Sequence, residues 1–405
     1  MINTLWSIGG ILTLIALAIA MSKNRKAIKW RTVGTGLAIL LFFALFVLKT
    51  SIGQTVLGYL VQAVNAVMSF TNEGVNFLVG PIVGHENLGT SFVFTALPSI
   101  VFFSGLISVL YHFGIMQKVI NVIGGGLSKF MGTSKAESMN SAANIFVGQT
   151  EAPLVIRPFV KKMTESELFA VMVGGLASVS GAILVGYAAL GIELKYLITA
   201  SFMAAPAALV MAKIMIPETE FHKVQDVKDV DTGEKSANFI EALSTGGANG
   251  AKLAANVGIM LLVFIAAIAL LNGILGGVAG IFGISLTLEQ ILGWVFAPLA
   301  FVIGVPFEEA ARAASFIGQK FVLNEFVAFS NFGPVMDTFS EKAQVITSFA
   351  LTGFANVGCI GILIGGIGGM APSRRGDIAR LGFKAVLAAT LANLLSAAVV
   401  GLLLF

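Results

Sequence analysis

Polar side chains that could bind a small solute or a cation cluster in one short stretch of an otherwise apolar sequence. The stretch is NIFVGQTEAPLVIRPF, residues 144–159, and it places Asn144, Gln149, Thr150 and Glu151 within eight residues. Amide, hydroxyl and carboxylate oxygens accept hydrogen bonds and coordinate hard cations. Inside a membrane such residues are costly and mark a substrate or ion pathway. The setting of the stretch therefore decides what it can do.

The composition places the stretch in a membrane. Of 405 residues, 57% are hydrophobic and 11% are charged, and the mean hydropathy is +0.92. A spanning helix needs about 20 mostly apolar residues. Runs of that kind are predicted at 4–21, 33–50, 92–112, 166–190, 195–216, 252–281, 343–370 and 381–405. The sequence therefore predicts an all-α polytopic membrane protein with about eight transmembrane helices.

The distribution of Lys and Arg predicts the orientation of these spans. The basic segments are 23–31, 157–162 and 372–380, whereas the loops near 80–90 and 190–195 have almost no basic residues. Cytoplasmic loops are enriched in Lys and Arg. We therefore expect the N-terminus outside, both termini on the same side, and the mixed-charge loop at 217–238 in the cytoplasm. The net charge of +4 comes mostly from short loops, so it gives no sign of a nucleic-acid partner.

Residues 55–80 do not fit a spanning segment, because polar residues recur there at steps of three or four. These residues are Gln62, Asn65, Ser69, Asn72, Glu73 and Asn76. The spacing predicts one polar stripe on a helix whose other face is apolar. Such a helix can lie in the membrane interface. The alternative is a spanning helix that packs its polar stripe against protein.

Two further regions, 115–162 and 287–330, are too broken to be simple spans. Ser134 followed by Glu137 predicts a capping box that starts a new helix, and Pro306 opens another helix after a glycine turn. Both regions indicate re-entrant hairpins, whose two arms enter and leave on the same side. Irregular backbone at membrane depth survives only where it is buried in protein or lines a wet cavity.

The two hairpins resemble each other and predict an inverted repeat. Residues 137–151 and 308–325 share an acidic start, small residues, a Gly-Gln pair and a closing Glu. Each hairpin precedes an apolar segment that small and polar residues interrupt, at 177–187 and 353–363. The charge distribution puts the first hairpin on the cytoplasmic side and the second outside. This arrangement is typical of broken helices that meet near the midplane to form a solute site.

The polar residues at these mirrored places are suited to a neutral solute with hydroxyl and amide groups. They are Asn144, Gln149, Glu151, Glu325 and Asn356. Broken helices add unpaired backbone groups that can bind a cation or a polar solute. The alternative is that these side chains only join helices to one another.

At these residues the chain resembles the bacterial type of concentrative nucleoside transporter. That family's signature is Gly/Ala-x-Lys-x-x-x-Asn-Glu-Phe-Val-Ala followed by an aromatic residue or Met, and GQKFVLNEFVAF (318–329) meets it at every fixed position. GQTEAP (148–153), GFAN (353–356) and MAPSRRGDIA (370–379) also match the family. The resemblance covers essentially the whole chain after the first span.

The resemblance implies a homotrimer in the bacterial inner membrane, in which each protomer moves a transport domain against a trimeric scaffold. It implies a scaffold at 1–91, a first repeat at 92–216, a cytoplasmic loop at 217–238 and a second repeat at 239–405. In the family, the Gln-Thr-Glu of the first hairpin faces the nucleobase, which here means Gln149, Thr150 and Glu151. The Glu and Asn of the two later motifs hold the ribose, which here means Glu325 and Asn356.

The resemblance also implies a sodium site between the first hairpin and the following broken span. It corresponds to the Asn144 side chain, the Val147 carbonyl, the Ser178 hydroxyl and the Val179 carbonyl, all of them hard oxygen donors. Proton-coupled relatives tend to depart from the Gly-Gln-Thr-Glu-Ala-Pro pattern, and this chain keeps it. We therefore expect a sodium-coupled nucleoside symporter, with a proton-coupled one as the alternative.

Three further positions lie around the expected site. The family commonly has Ser where this chain has Cys359, and a thiol is a poorer hydrogen-bond partner than a hydroxyl. Phe354 is expected to line the base pocket, and Ile183 is a similar candidate. For both Phe354 and Ile183 the alternative is plain packing.

Other classes of function fit the sequence less well. A channel needs neither two ionisable groups facing one neutral solute nor an inverted repeat. An enzyme would need a nucleophile–base pair or metal ligands, and His85, His112 and His222 show no ligand spacing. A symporter of the same architecture for another neutral solute remains an alternative. A nucleotide would need cationic ligands, which the expected site does not have.

Overall fold

The computed structural model describes residues 2–83, 92–220 and 236–405, and the regular secondary structure of these parts of the chain is helical. The α-helices are α1 (Ile2–Ala20), α2 (Trp30–Lys49), α3 (Ser51–Val83), α4 (Phe92–His112), α5 (Ile115–Met131), α6 (Lys135–Ala143), α7 (Arg157–Val160), α8 (Glu165–Ala177), α9 (Gly181–Ala188), α10 (Leu194–Met215), α11 (Phe239–Gly280), α12 (Leu288–Val302), α13 (Phe307–Val322), α14 (Glu325–Phe332), α15 (Glu341–Leu351), α16 (Cys359–Met370) and α17 (Arg375–Leu404). Short 3₁₀ turns lie at Ala152–Ile156 and Gly333–Thr338.

Six helical segments in the described parts are long and apolar enough to cross a membrane. They are Trp30–Lys49, Phe92–His112, Glu165–Ala188, Leu194–Met215, Phe239–Gly280 and Pro372–Leu404. Two of the eight predicted spans are not in this set, for identifiable reasons. The apolar part of α1, Trp6–Ala20, is shorter, and the span predicted at 343–370 is divided into α15 and α16. The prediction of an all-α polytopic membrane protein is confirmed.

The same order of seven helices occurs twice, in α4–α10 and again in α11–α17. Each set begins with an apolar helix and then has a second helix, a hairpin of two helices, a span broken into two halves and a final helix. The break in the first set falls at Ser178–Ser180 and the break in the second at residues 352–358. Both interruptions lie where small and polar residues weaken the apolar sequence.

Each predicted hairpin region contains three helices, one more than two arms require. In the first region the chain turns at Gly132, whose φ of 66° is in the left-handed region. Ser134 then caps α6, and the predicted capping box with Glu137 is present. In the second region the chain turns at Gly304, where φ is 106°, and α12 and α13 differ in direction by 117°. We call α6–α7 the first hairpin and α13–α14 the second hairpin.

The broken span of the first repeat and the final helices of both repeats form the centre of the protein. In Glu165–Ala188 and in Leu194–Met215, 94% of the apolar stretch is buried inside the protein, against 17% in Phe239–Gly280. Helices α8, α10 and α17 pack on one another, whereas α11 lies along α4 at the periphery. Gly246 and Gly250 permit that close approach, because an added Cβ at either would lie within 3 Å of α4 atoms.

Helix α3 covers the segment whose polar stripe predicts an interfacial helix. The six stripe residues are exposed in the protomer, and so are apolar residues such as Phe77. The stripe is therefore not packed against the rest of its own chain. Most of the predicted cytoplasmic loop, residues 221–235, lies outside the described residues.

Candidate solute and cation site

The tip of the first hairpin lies against the break in the first broken span. Helix α6 ends at Ala143, and residues 144–151 form an irregular turn. The Gly181 N–H donates to the Phe146 carbonyl across 2.9 Å. From α10, the Ser201 hydroxyl donates to the Ile145 carbonyl at 3.0 Å and reaches the Val179 carbonyl at 3.5 Å. Three hydrogen bonds, two of them from Ser201 of α10, thus hold the tip and the break together.

The four residues expected to bind sodium all lie at this junction and are buried. Asn144 caps the end of α6 and donates from Nδ2 to the Asn140 carbonyl at 2.9 Å, while its Oδ1 has no hydrogen-bond partner. Ser178 caps the end of α8 and donates to the Gly174 carbonyl at 2.9 Å, which leaves its oxygen lone pairs free. With the carbonyls of Val147 and Val179, the site offers four hard oxygen donors, so these residues fit a small cation.

The two broken spans touch each other at their breaks. After α15 ends at Leu351, the chain runs irregularly to Cys359, and the Phe354 N–H donates to the Ser178 carbonyl at 3.3 Å. Gly353 has a φ of 142°, and an added Cβ would lie 2.5 Å from Asn393 Oδ1 and 2.7 Å from the Ala177 carbonyl oxygen. Only glycine fits this crossing, both for its backbone conformation and for its space.

The second hairpin brings Glu325 to the second break. Asn324 caps α14 by accepting from the Val327 N–H at 2.9 Å, so Glu325 is the first residue of that helix. Asn356 donates from Nδ2 to Glu325 Oε2 at 3.2 Å and accepts from the Cys359 N–H at 2.9 Å. The positive end of the α14 dipole and the Asn356 amide both stabilise a carboxylate at this position.

Gln149 joins the tip of the first hairpin to the second broken span. Its Nε2 donates to Cys359 Sγ at 3.2 Å, and its buried Oε1 has no hydrogen-bond partner. Thr150 packs on the same helix, since its Cγ2 lies 3.1 Å from where a Gly366 Cβ would be. Glu325, Asn356, Cys359 and Gln149 therefore form one connected line of polar contacts from hairpin to hairpin.

Exposure differs across the expected site. Thr150 and Glu151 are exposed, Phe354 is half-buried, and Gln149, Glu325, Asn356 and Cys359 are buried. Ile183 is also buried, in the first turn of α9, where its N–H donates to the Ser180 hydroxyl at 3.4 Å. The structure brings the polar candidates together but gives Ile183 no contact with them that distinguishes binding from packing.

The sequence similarity of the two hairpins is only partly structural. Gly148 and Gln149 lie in the irregular tip, whereas Gly318 and Gln319 lie inside α13. The two Gly-Gln pairs are therefore not equivalent, because the insertion in the second hairpin extends its first helix. The closing residues correspond better, since Glu151 directly precedes the 3₁₀ turn Ala152–Ile156 and Glu325 is the first residue of α14.

Three residues that the sequence analysis did not single out hold the site together: Ser201, Lys320 and Asn393. The buried Lys320 ammonium donates to the Ala350 carbonyl at 2.8 Å and to Asn393 Oδ1 at 2.7 Å. Asn393 in turn donates to the Ala177 carbonyl at 2.6 Å. A lone Asn in the apolar run at 381–405 was the signal for Asn393, and the signature motif contains Lys320. Ser201 has no such signal in its sequence context.

Two hairpins that meet two broken spans at their breaks define a membrane transporter of the broken-helix class. The family comparisons agree. Residues 9–82 match the Na+ dependent nucleoside transporter N-terminus, 93–193 match the nucleoside recognition (Gate) family, and 196–401 match the Na+ dependent nucleoside transporter C-terminus. The chain belongs to the concentrative nucleoside transporter family, and the resemblance is confirmed.

Bacterial relatives are similar over nearly their whole length. The chain is 54% identical to the uncharacterized transporter YutK of Bacillus subtilis, over 99% of each chain. It is 44% identical to the nucleoside permease NupC of Helicobacter pylori, over 99% of this chain and 98% of that one. It matches the structure of CNTnw in an inward-facing substrate-bound state with a TM-score of 0.94 and 50% identity, covering 99% of this chain and 98% of that chain.

Proposed function

We propose that this protein takes up nucleosides by symport with sodium. The observation that carries the proposal is the line of polar contacts from Gln149 through Cys359 and Asn356 to Glu325, at the place where both broken spans meet. Amide, carboxylate and thiol groups along such a line can exchange their contacts with one another for contacts with a solute. The family match supports the nucleoside as that solute.

The two ends of this line differ in a way that suits a nucleoside. At one end, the free Oε1 of Gln149 and the exposed Thr150 and Glu151 offer acceptors and donors to the edge of a nucleobase. At the other end, Glu325 and Asn356 are held in place and offer charge-assisted bonds to ribose hydroxyls. Ribose would displace the 3.2 Å contact between these two side chains rather than require new rotamers.

Sodium is the proposed coupling ion, held by Asn144, Val147, Ser178 and Val179. The free Oδ1 of the buried Asn144 supports this, because an unpartnered acceptor in a membrane interior is costly unless a ligand uses it. A cation there would join the first hairpin to the first broken span. The adjacent residues Gln149–Glu151 would then be ordered for the nucleoside.

The proposed assembly is a homotrimer in the bacterial inner membrane with both termini outside. Residues 1–91 would form the scaffold, and the hairpins and broken spans of repeats 92–216 and 239–405 would carry the site past it as an elevator. The loop at 217–238 would lie in the cytoplasm. The exposed apolar residues of α3 and α11 support a partner or lipid on those helices, since a lone soluble protein rarely exposes such surfaces.

Two alternatives share the architecture. A proton-coupled nucleoside symporter would not need the oxygen set around Asn144, and a symporter for another neutral solute would use the same line of polar contacts. The unused Asn144 oxygen favours sodium over the first, and the match of residues 93–193 to the nucleoside recognition family favours nucleosides over the second.

Uptake by purified protein in liposomes tests the proposal. Radiolabelled uridine and adenosine should accumulate under an inward sodium gradient, and replacing sodium with choline should abolish accumulation. Nucleoside monophosphates should compete poorly, because the acidic residues Glu151 and Glu325 face the site. Accumulation driven equally well by a proton gradient without sodium would contradict the sodium assignment, and competition by monophosphates as strong as by nucleosides would contradict the site.

A further inference from the structure

The ends of the two half-helices α8 and α15 are built alike. Each ends in a hydroxyl residue that donates back one turn: Ser178 to the Gly174 carbonyl at 2.9 Å, and Thr352 to the Ser348 carbonyl at 2.8 Å. Side chains of the two final helices bond here as well. Ser201 of α10 lies 3.5 Å from the Val179 carbonyl, and Asn393 of α17 donates to the Ala177 carbonyl at the end of α8 while its Oδ1 accepts from Lys320 beside the end of α15. The negative end of a helix dipole is thus buried at both breaks.

The ends of α8 and α15 differ in the groups that face them. At the first, the free Asn144 Oδ1 completes a set of oxygens that fits a dissociable cation. At the second, the ammonium of Lys320 lies against the Ala350 carbonyl at 2.8 Å. Lys320 reaches this position from the last turn of α13, the first arm of the second hairpin. The second break therefore carries the ammonium group of a lysine side chain, whereas the first break offers oxygens to a free ion.

Lys320 also has a carboxylate neighbour across the hairpin tip. Lys320 lies in the last turn of α13 and Glu325 opens α14, so the short tip between these helices places both at the same end of the second hairpin, and both side chains are almost completely buried. The hydrogen bonds of the Lys320 ammonium described above go to neutral oxygens, so it contributes charge without occupying the Glu325 carboxylate. A buried carboxylate is costly without a compensating charge. Glu325 is thus compensated while its carboxylate oxygens are left to Asn356 and to a solute that replaces the Asn356 contact.

We propose that Lys320 is the built-in cation of the second repeat, a positioning residue that compensates Glu325 and fixes the second break for nucleoside binding. Asn393 connects Lys320 to the first broken span, because it accepts a hydrogen bond from Lys320 and donates one to the Ala177 carbonyl at the end of α8. The proposal rests on nucleoside transport as the function. It differs from a packing role in that the charge of Lys320, and not its length, matters.

The role of the Lys320 charge can be tested in a variant that keeps the shape of the side chain. Lys320→Met keeps the unbranched side chain, and Lys342→Met, in α15 but half-buried, is the matched control. At saturating sodium, nucleoside affinity should fall at least tenfold in Lys320→Met and less than twofold in Lys342→Met. Sodium affinity measured without nucleoside should stay within twofold in both. Unchanged nucleoside affinity in folded Lys320→Met protein would overturn the proposal.

A double-mutant cycle separates charge compensation from packing. In protein that already carries Glu325→Gln, adding Lys320→Met should change nucleoside affinity less than threefold, because no carboxylate remains to be compensated. Two independent losses that multiply in the double variant would mean that Lys320 acts without Glu325, and would overturn the proposal.

Unfolding temperatures in detergent give a readout that does not require the protein to bind a nucleoside. Lys320→Met should lower the unfolding temperature, and the double variant should recover at least half of that loss. If Lys320→Met does not fold but the double variant does, the charge pairing is supported. If neither folds, or if the double variant is the less stable, the role is packing. Failure of the unaltered protein to bind any nucleoside would contradict the proposed function. The unfolding temperatures would still show whether Lys320 compensates the charge of Glu325.

Discussion

Asn356 donates a hydrogen bond to Glu325 across 3.2 Å and so joins the second broken span to the second hairpin. Asn356 is held through its other amide atom by the Cys359 N–H, and Glu325 is fixed as the first residue of α14. Both groups are already oriented before a solute replaces this contact. Binding therefore costs less side-chain conformational entropy than it would at a flexible site.

Glu325→Gln should weaken nucleoside binding by about ten- to a hundredfold, because hydrogen bonds to a charged group are worth about 1.5–3 kcal/mol. The substitution keeps the shape and one acceptor, so the protein should fold. Equilibrium binding of radiolabelled uridine to purified protein measures the effect. Glu308→Gln, an exposed carboxylate at the start of α13, is the control. Unchanged binding in folded Glu325→Gln protein would remove this residue from the site.

Cys359→Ser should strengthen nucleoside binding. The Cys359 thiol accepts from Gln149 and lies beside Asn356, and a hydroxyl is a better donor and acceptor than a thiol. We expect a gain of about two- to tenfold, the value of one neutral hydrogen bond of about 0.5–1.5 kcal/mol. Cys359→Ala, which keeps neither group, is the comparison in the same binding assay. Serine binding nucleoside no better than alanine would show that position 359 does not contact the solute.

Lys213→Met should destabilise the fold far more than Lys23→Met. Lys213 bonds Glu137 at 2.6 Å, and both side chains are buried, whereas Lys23 bonds Glu165 at 2.8 Å with 56% of its side chain exposed. Removing one partner of a buried ion pair costs about 3–5 kcal/mol, whereas an exposed pair is worth about 1 kcal/mol or less. Unfolding temperatures of the two variants in detergent make the comparison. Equal shifts would show that the buried pair is not what anchors α6 to α10.

Sequence patterns predicted those elements whose cause is local. The capping box of Ser134 and Glu137, the glycine turn before Pro306 and the two broken spans all follow from residues within a few positions of one another. The line from Gln149 to Glu325 was predicted as a set of residues, through motifs and resemblance. Its contacts were not, because they join residues as far apart as 210 positions.

What could not be predicted depends on tertiary contacts. Letter similarity aligned Gly148-Gln149 with Gly318-Gln319, but an inserted stretch lengthens α13 and keeps the second pair helical. Asn393 and Lys320 acquire their roles only when α17 and α13 meet at the break after α15. A single polar residue in an apolar helix shows that something must satisfy it, and the sequence does not show what.

The last prediction concerns coupling at the first hairpin. If a sodium ion joins Asn144 and Ser178, it orders the neighbouring Gln149–Glu151 segment. Sodium should then raise nucleoside affinity, and nucleoside should raise sodium affinity by the same factor, because binding linkage is reciprocal. Asn144→Ala removes the free buried Oδ1 and should weaken sodium binding strongly. Ser178→Ala should do so more mildly, since the backbone carbonyls remain.

Nucleoside binding across a sodium titration, with choline holding the ionic strength constant, measures this linkage. Without sodium, Asn144→Ala protein should bind nucleoside nearly as the unaltered protein does, because the nucleoside contacts of Gln149 and Glu325 are intact. Ser201→Ala is an informative comparison: its hydroxyl holds the Ile145 carbonyl at the same tip and lies 3.5 Å from the Val179 carbonyl, but it is not itself one of the four proposed sodium donors. Nucleoside affinity in the unaltered protein that does not respond to sodium, together with uptake that follows a proton gradient, would reject sodium as the coupling ion while leaving nucleoside as the substrate.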